Sequence, residues 1–92
     1  MTINLYLSYI PIFITKQHLY SMCMNLNLFS PLNIVLKLQK NSNFNTAYVF
    51  VQSWHNCEES RHILDTLQTG NNAYLQFAFP IYIKCSLLKK TS

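Results

Sequence analysis

The sequence predicts a single α+β domain of β-α-β-β-α-β order. Three observations predict it. Four main segments, and a shorter one before the last of them, read as strands. Two others carry apolar residues at the i, i+3, i+4 and i+7 spacing of a helix face. These signals follow one another as two βα halves within 92 residues, the length of one domain.

Residues 3–8 alternate, are rich in β-branched and aromatic side chains and stop at Pro11, so they read as the first strand. The period then changes. Across residues 15–26, Leu19, Met22, Cys23 and Leu26 form a helical apolar stripe, with Thr15 as its N-cap. Phe29-Ser30-Pro31 punctuates the chain. Ile34, Leu36 and Leu38 then alternate with Asn33, Val35, Lys37 and Gln39 as the second strand, and Lys40-Asn41-Ser42-Asn43 is a loop by composition. Residues 46–52 are the most strand-like, with Ala47, Val49 and Val51 on one face and Tyr48 and Phe50 on the other. Asn56 followed by Glu59 resembles a capping box, and Glu58 and Glu59 suit the first turn of a helix. Ser60, Ile63, Leu64 and Leu67 give that helix its buried stripe, and Gly70 stops it. Residues 73–77 read as a short strand, and Pro80 opens a final one over residues 81–86. The domain spans residues 3–88, and residues 89–92 form a short tail bearing Lys89 and Lys90. Such an order folds as a ferredoxin-like split β-α-β sandwich: a four-stranded antiparallel sheet with two helices on one face and the other face open.

Hydrophobic residues make up 50% of the chain and charged ones only 11%, well below the usual quarter, with asparagine supplying polarity instead. The net charge of +4 suits a polyanionic partner, but taken alone it fits a mildly basic soluble protein better. Cys23, Cys57 and Cys85 are odd in number and form no CxxC, which argues against a disulfide framework and for a reducing, intracellular compartment. No stretch approaches the ~20 apolar residues of a membrane span. The apolar residues 3–14 are interrupted by Asn4, Ser8 and Pro11 and lack a basic lead, which argues against a signal peptide.

Two strand motifs carry a family resemblance. The first strand reads Leu5-Tyr6-Leu7-Ser8-Tyr9-Ile10-Pro11, and the third reads Phe44-Asn45-Thr46-Ala47-Tyr48-Val49-Phe50-Val51. Both resemble the paired aromatic strand motifs of RNA recognition motif (RRM) domains. The chain is more closely similar to the short, stand-alone RRM-like proteins of large DNA viruses. That likeness rests on Leu26-Asn27-Leu28, on Ser53-Trp54-His55-Asn56, on the helix bearing Glu58, on Gly70 and on Pro80-Ile81-Tyr82-Ile83-Lys84-Cys85. The resemblance covers residues 3–86. It implies a non-enzymatic protein that binds single-stranded RNA without a cofactor or metal, in the host cytoplasm or nucleus if viral. The departures matter: Phe44, Asn45 and Thr46 stand where the third-strand motif has a basic residue, a glycine and an aromatic, and Tyr9 stands where the first has asparagine.

By alternation the open face carries Tyr6 and Ser8, then Thr46, Tyr48 and Phe50, then Asn33, Val35 and Lys37, then Tyr82 and Lys84. Tyr6 and Tyr48 belong on neighbouring central strands, where each ring offers a base a stacking surface worth ~1–3 kcal/mol. Lys37 and Lys84 flank them as phosphate partners, Lys40 substitutes for the missing basic residue, and Lys89 and Lys90 extend the positive surface. The alternative is a protein-interaction or self-association module, including a weak homodimer, because aromatic strands also pack against proteins. Phe50 favours that alternative. Trp54 reads as packing over the second helix rather than stacking a base. Phe44 reads equally as a wedge between bases or as a cap on the core.

Other chemistry finds little support. His55, Cys57 and His62 are too few and too scattered for zinc. Cys57 begins a helix, where a thiol pKa falls, but nothing supplies an orienting group or an oxyanion hole. Glu58, Glu59 and Asp65 are the only acids and share one helix. One glycine forms no phosphate loop. Acylphosphatases share the fold but need an arginine loop after the first strand, and Arg61, the only arginine, lies in the second helix. Cys23 and Cys85 read as small core hydrophobes.

Overall fold

The computed structural model describes residues 3–39, 42–78 and 81–88. The elements run β1 (Leu5–Pro11), α1 (Lys16–Asn25), β2 (Phe29–Lys37), β3 (Phe44–Trp54), α2 (Glu58–Gln68), β4 (Ala73–Ala78) and β5 (Ile81–Leu87). All pairings are antiparallel, in the order β2-β3-β1-β5-β4. The α1 connection therefore joins β1 to β2 across β3, and the α2 connection leads from β3 to a β4-β5 hairpin across β1. Two interleaved β-α-β units result, broadly the predicted arrangement. The sheet has five strands rather than four. Residues 73–77 belong to a full edge strand because Ala73 and Leu75 alternate into the core, opposite Cys85 and Ile83 of β5.

The core lies between the sheet and the helices. Leu5 and Leu7 of β1, Ala47 and Val49 of β3, Ile83 and Cys85 of β5, and Leu19, Cys23 and Leu67 of the helices form one buried cluster. Burying each large aliphatic contributes about 1.5–3 kcal/mol. Helix α1 starts at the predicted cap: the Thr15 hydroxyl accepts from the His18 N–H at 3.1 Å. Helix α2 ends on Gly70 at φ +89°, with Gly70 N–H donating to Leu67 O and Asn71 N–H to Thr66 O. That is a Schellman stop, which favours glycine because a left-handed φ crowds a Cβ.

Three local expectations are corrected. Phe29-Ser30-Pro31 does not break the chain but opens β2, because Phe29 is fully buried and rewards pairing with Trp54 of β3. Pro31 is tolerated because β2 is an edge strand and the register shifts on either side of it. Asn56 forms no capping box. The cap of α2 is Cys57, without a side-chain bond to the backbone, while the Asn56 amide oxygen accepts instead from Arg61 Nη1 at 3.4 Å. Between Leu7 and Ile10 of β1 the register with β3 slips by one residue. This β-bulge holds Tyr9 at φ +63° and returns Ile10 to the core.

Candidate nucleic-acid interface

Both helices send their buried residues to the Leu5–Leu7 side of the sheet. The opposite face is built by strand alternation. One row of paired residues runs Val35, Tyr48, Tyr6, Ser86 across β2, β3, β1 and β5. Tyr6 and Tyr48 are direct cross-strand partners, with ring centroids 5.6 Å apart and planes tilted by 41°. Both tyrosines are half-buried.

The lysines sit beside the rings. Lys37 Nζ lies 5.4 Å from the Tyr48 ring centroid, and Lys84 Nζ lies 5.8 Å from that of Tyr9. Such exposed cation–π contacts are worth about 0.5–1 kcal/mol, weak enough to exchange for a phosphate. All three acidic side chains of the chain lie on α2, across the sandwich. An open groove of about 1080 Å³ runs along that helix, lined by Glu58, Glu59 and Asp65 with Arg61 and His62. Its acids lie on α2, while Lys37 and Lys84 lie beside the tyrosines, so the two faces differ in charge.

The predicted residues are not all equal. Tyr6, Ser8, Tyr48, Phe50 and Lys84 are half-buried on this face, and Lys37, Tyr82, Asn33 and Val35 are exposed on it. Thr46 occupies the open-face register but is only 8% exposed, wedged beside the β1 bulge. Lys40, Lys89, Lys90 and Pro80 lie outside the described residues.

Two aromatics missed as a pair complete the surface. Phe44, in the same register as Tyr48, is 44% exposed and so does not cap the core. It meets Tyr9 edge-on, at 5.8 Å and 86°. The signal was present: Ile10 breaks the alternation of Leu5 and Leu7, and only a bulge can bury all three.

Trp54 packs on Phe29, with centroids 5.0 Å apart, and its indole N–H donates to Ile3 O at 3.0 Å, so it takes no part in the face. Its neighbour His55 is a latch. Its Nδ1–H donates to Asn27 O at 2.8 Å, its Nε2 lies 3.2 Å from the Ser30 hydroxyl, and its backbone N–H donates to Leu28 O. Ser60, fully buried, donates to the same Leu28 carbonyl at 2.7 Å and lies 3.1 Å from Cys57 Sγ. The Ser60 hydroxyl bond is the main cause that lowers the Cys57 thiol below its ordinary pKa. Burial pushes the Cys23 and Cys85 thiols up to about 12. No three His, Cys, Asp or Glu side chains cluster to hold a metal among the described residues.

Fold and face together define an α+β sandwich with an open, aromatic, lysine-flanked sheet. Comparison with protein-family models, with curated proteins and with solved structures finds no match to this chain.

Proposed function

We propose that this domain binds single-stranded RNA by stacking bases on the open face of its sheet, as an RRM-like protein without enzymatic activity. The observation that carries the reading is the Tyr6–Tyr48 pair: two rings 5.6 Å apart, on the neighbouring interior strands β1 and β3, on the face the helices leave free. Its charge supports the same partner, with Lys37 and Lys84 on the face and every acid on α2. Stacking tolerates sequence because every base has a flat face, so low intrinsic sequence specificity is expected. The likeness to stand-alone viral RRM-like proteins supports a reading in which a viral domain of this kind meets its RNA in the host cytoplasm or nucleus. Among the described residues no helix is long and apolar enough to cross a membrane.

The test is equilibrium binding of a labelled uridine octamer at several salt concentrations. Tyr6→Ala and Tyr48→Ala are each expected to lose ~1–3 kcal/mol, a factor of about 5 to 150 in affinity. If both variants bind as the wild type does, the reading fails.

A second reading has its own observation. Ile12, Phe13 and Leu38 are 60%, 69% and 78% exposed at or beyond the strand ends, which favours a protein partner or self-association. Size-exclusion chromatography over a concentration series separates the two. A strict monomer that retains RNA and no protein removes the second reading.

A further inference from the structure

We propose that Tyr9 and Phe44 form a second base-stacking site, which carries the RNA track past Tyr6 and Tyr48 towards the end of the sheet where β1 leads into α1. The inference rests on the RNA-binding reading above and adds a site to it.

The argument begins with backbone. Tyr9 is held at φ +63°, a left-handed conformation that aromatic residues rarely adopt and that persists only where surrounding structure enforces it. The bulge enforces it. Residues 8 and 9 of β1 oppose Thr46 alone, so Leu7 and Ile10 both reach the core and Tyr9 is the extra residue. Plain alternation would put the Tyr9 ring under the helices. The bulge leaves it 54% exposed instead, against a second exposed ring.

Phe44 joins it from β3. Asn45 and Ala47 are buried on the core side, which gives Phe44 the open-face register shared by Tyr48. The 86° edge contact fixes the two rings relative to each other while leaving at least one flat face for a base.

Lys84 links the two sites. Its Cα partner on β1 is Ser8, between Tyr6 and Tyr9 in the strand, and its ammonium lies 5.8 Å from the Tyr9 ring centroid. From that position it reaches the phosphate joining a base on Tyr6 to a base on Tyr9. Among the described residues the ammonium's one recorded contact is the Tyr9 ring. When a base displaces the ammonium, it gains a phosphate and the ring gains a stacked partner. Charge selects the occupant. A second copy of this face would bring lysine-bearing surfaces together, and none of the three acidic side chains lies on it to relieve them.

The test compares variants for binding to a labelled uridine octamer. Tyr9→Asn removes the ring but keeps a residue that tolerates left-handed φ. Phe44→Leu removes the other ring at a different backbone position. Each is expected to weaken octamer binding at least about fivefold, while Tyr9→Phe retains it. Photocrosslinking of the wild type to iodouridine-substituted octamer provides a readout that needs no variant, with adducts expected on Tyr9 or Phe44. Wild-type affinity in Tyr9→Asn and Phe44→Leu, or adducts confined to Tyr6 and Tyr48, overturns the second site while the parent reading stands. A wild type that binds no octamer overturns both.

Discussion

Two thiols in the core set an alkaline limit on this fold. Cys23 of α1 and Cys85 of β5 are both fully buried. Burial, the largest cause for each, raises both to about 12, and for Cys85 the neighbouring Cys23 adds to it. In the unfolded chain a thiol ionises near ~8.5–9. Between these values the folded state holds two protons that the unfolded state has released. The folded state then binds more protons, so stability is complete below about pH 8.5 and falls as pH rises towards 12. At ~1.36 kcal/mol per pH unit, each thiol costs about 2 kcal/mol at about pH 10.5, and the pair about 4 kcal/mol. A domain of this size has only about 5–14 kcal/mol to lose. The perturbation is the double substitution Cys23→Ala with Cys85→Ala. The assay is urea unfolding across a pH series in reducing buffer, followed by fluorescence of Trp54, the one tryptophan. Every other titratable group is common to both proteins, so the difference between their pH slopes isolates the two thiols. The wild type is expected to lose about 4 kcal/mol more than the variant between about pH 8 and 10.5. Equal slopes would refute the reasoning.

The remaining predictions concern the latch and the charged face. Ser60→Ala removes the 2.7 Å bond to Leu28 O, and about 1 kcal/mol of stability should go with it in the same unfolding assay. That substitution also removes the main cause lowering Cys57, so alkylation of this thiol by iodoacetamide at about pH 8 should slow, read by mass spectrometry of the Cys57 peptide. His55→Ala breaks the ties to Asn27 O and the Ser30 hydroxyl, and should cost about 1–2 kcal/mol, a fall in Tm of about 4–16 °C by calorimetry. Lys37→Gln and Lys84→Gln should each weaken RNA binding and flatten the log–log salt dependence by about 0.7, and an unchanged slope would remove that lysine from the phosphate contacts.

Much of this architecture was legible in the sequence because it follows from local period. Leu19, Met22, Cys23 and Leu26 make a helix face wherever the chain is placed, and Thr15 caps it as expected. Ala47, Val49 and Val51 alternate with Tyr48 and Phe50, so burial of one set exposes the other. The Tyr6–Tyr48 pair follows once β1 and β3 are neighbours. Signals that compete with packing were harder to read. Ser30 and Pro31 are turn residues by local chemistry, yet burial of Phe29 draws them into β2. Asn56 and Glu59 have capping-box spacing, yet Ser60 must reach Leu28 O, and the helix cap falls on Cys57 instead. Ala73 and Leu75 need β5 beside them before their burial counts.

What the sequence determined alone was which residues share a face, since the periods of strand and helix are properties of the backbone. What only the tertiary structure decided was where those faces slip against each other. The β1 bulge is a mismatch between two strands, two residues set against Thr46: the spacing of Leu5, Leu7 and Ile10 hints at it, but only pairing with β3 sets its place. That mismatch sends Ile10 inward, turns Tyr9 outward to Phe44, and buries Thr46. Register is settled by the core that both strands share, which no local stretch of chain contains.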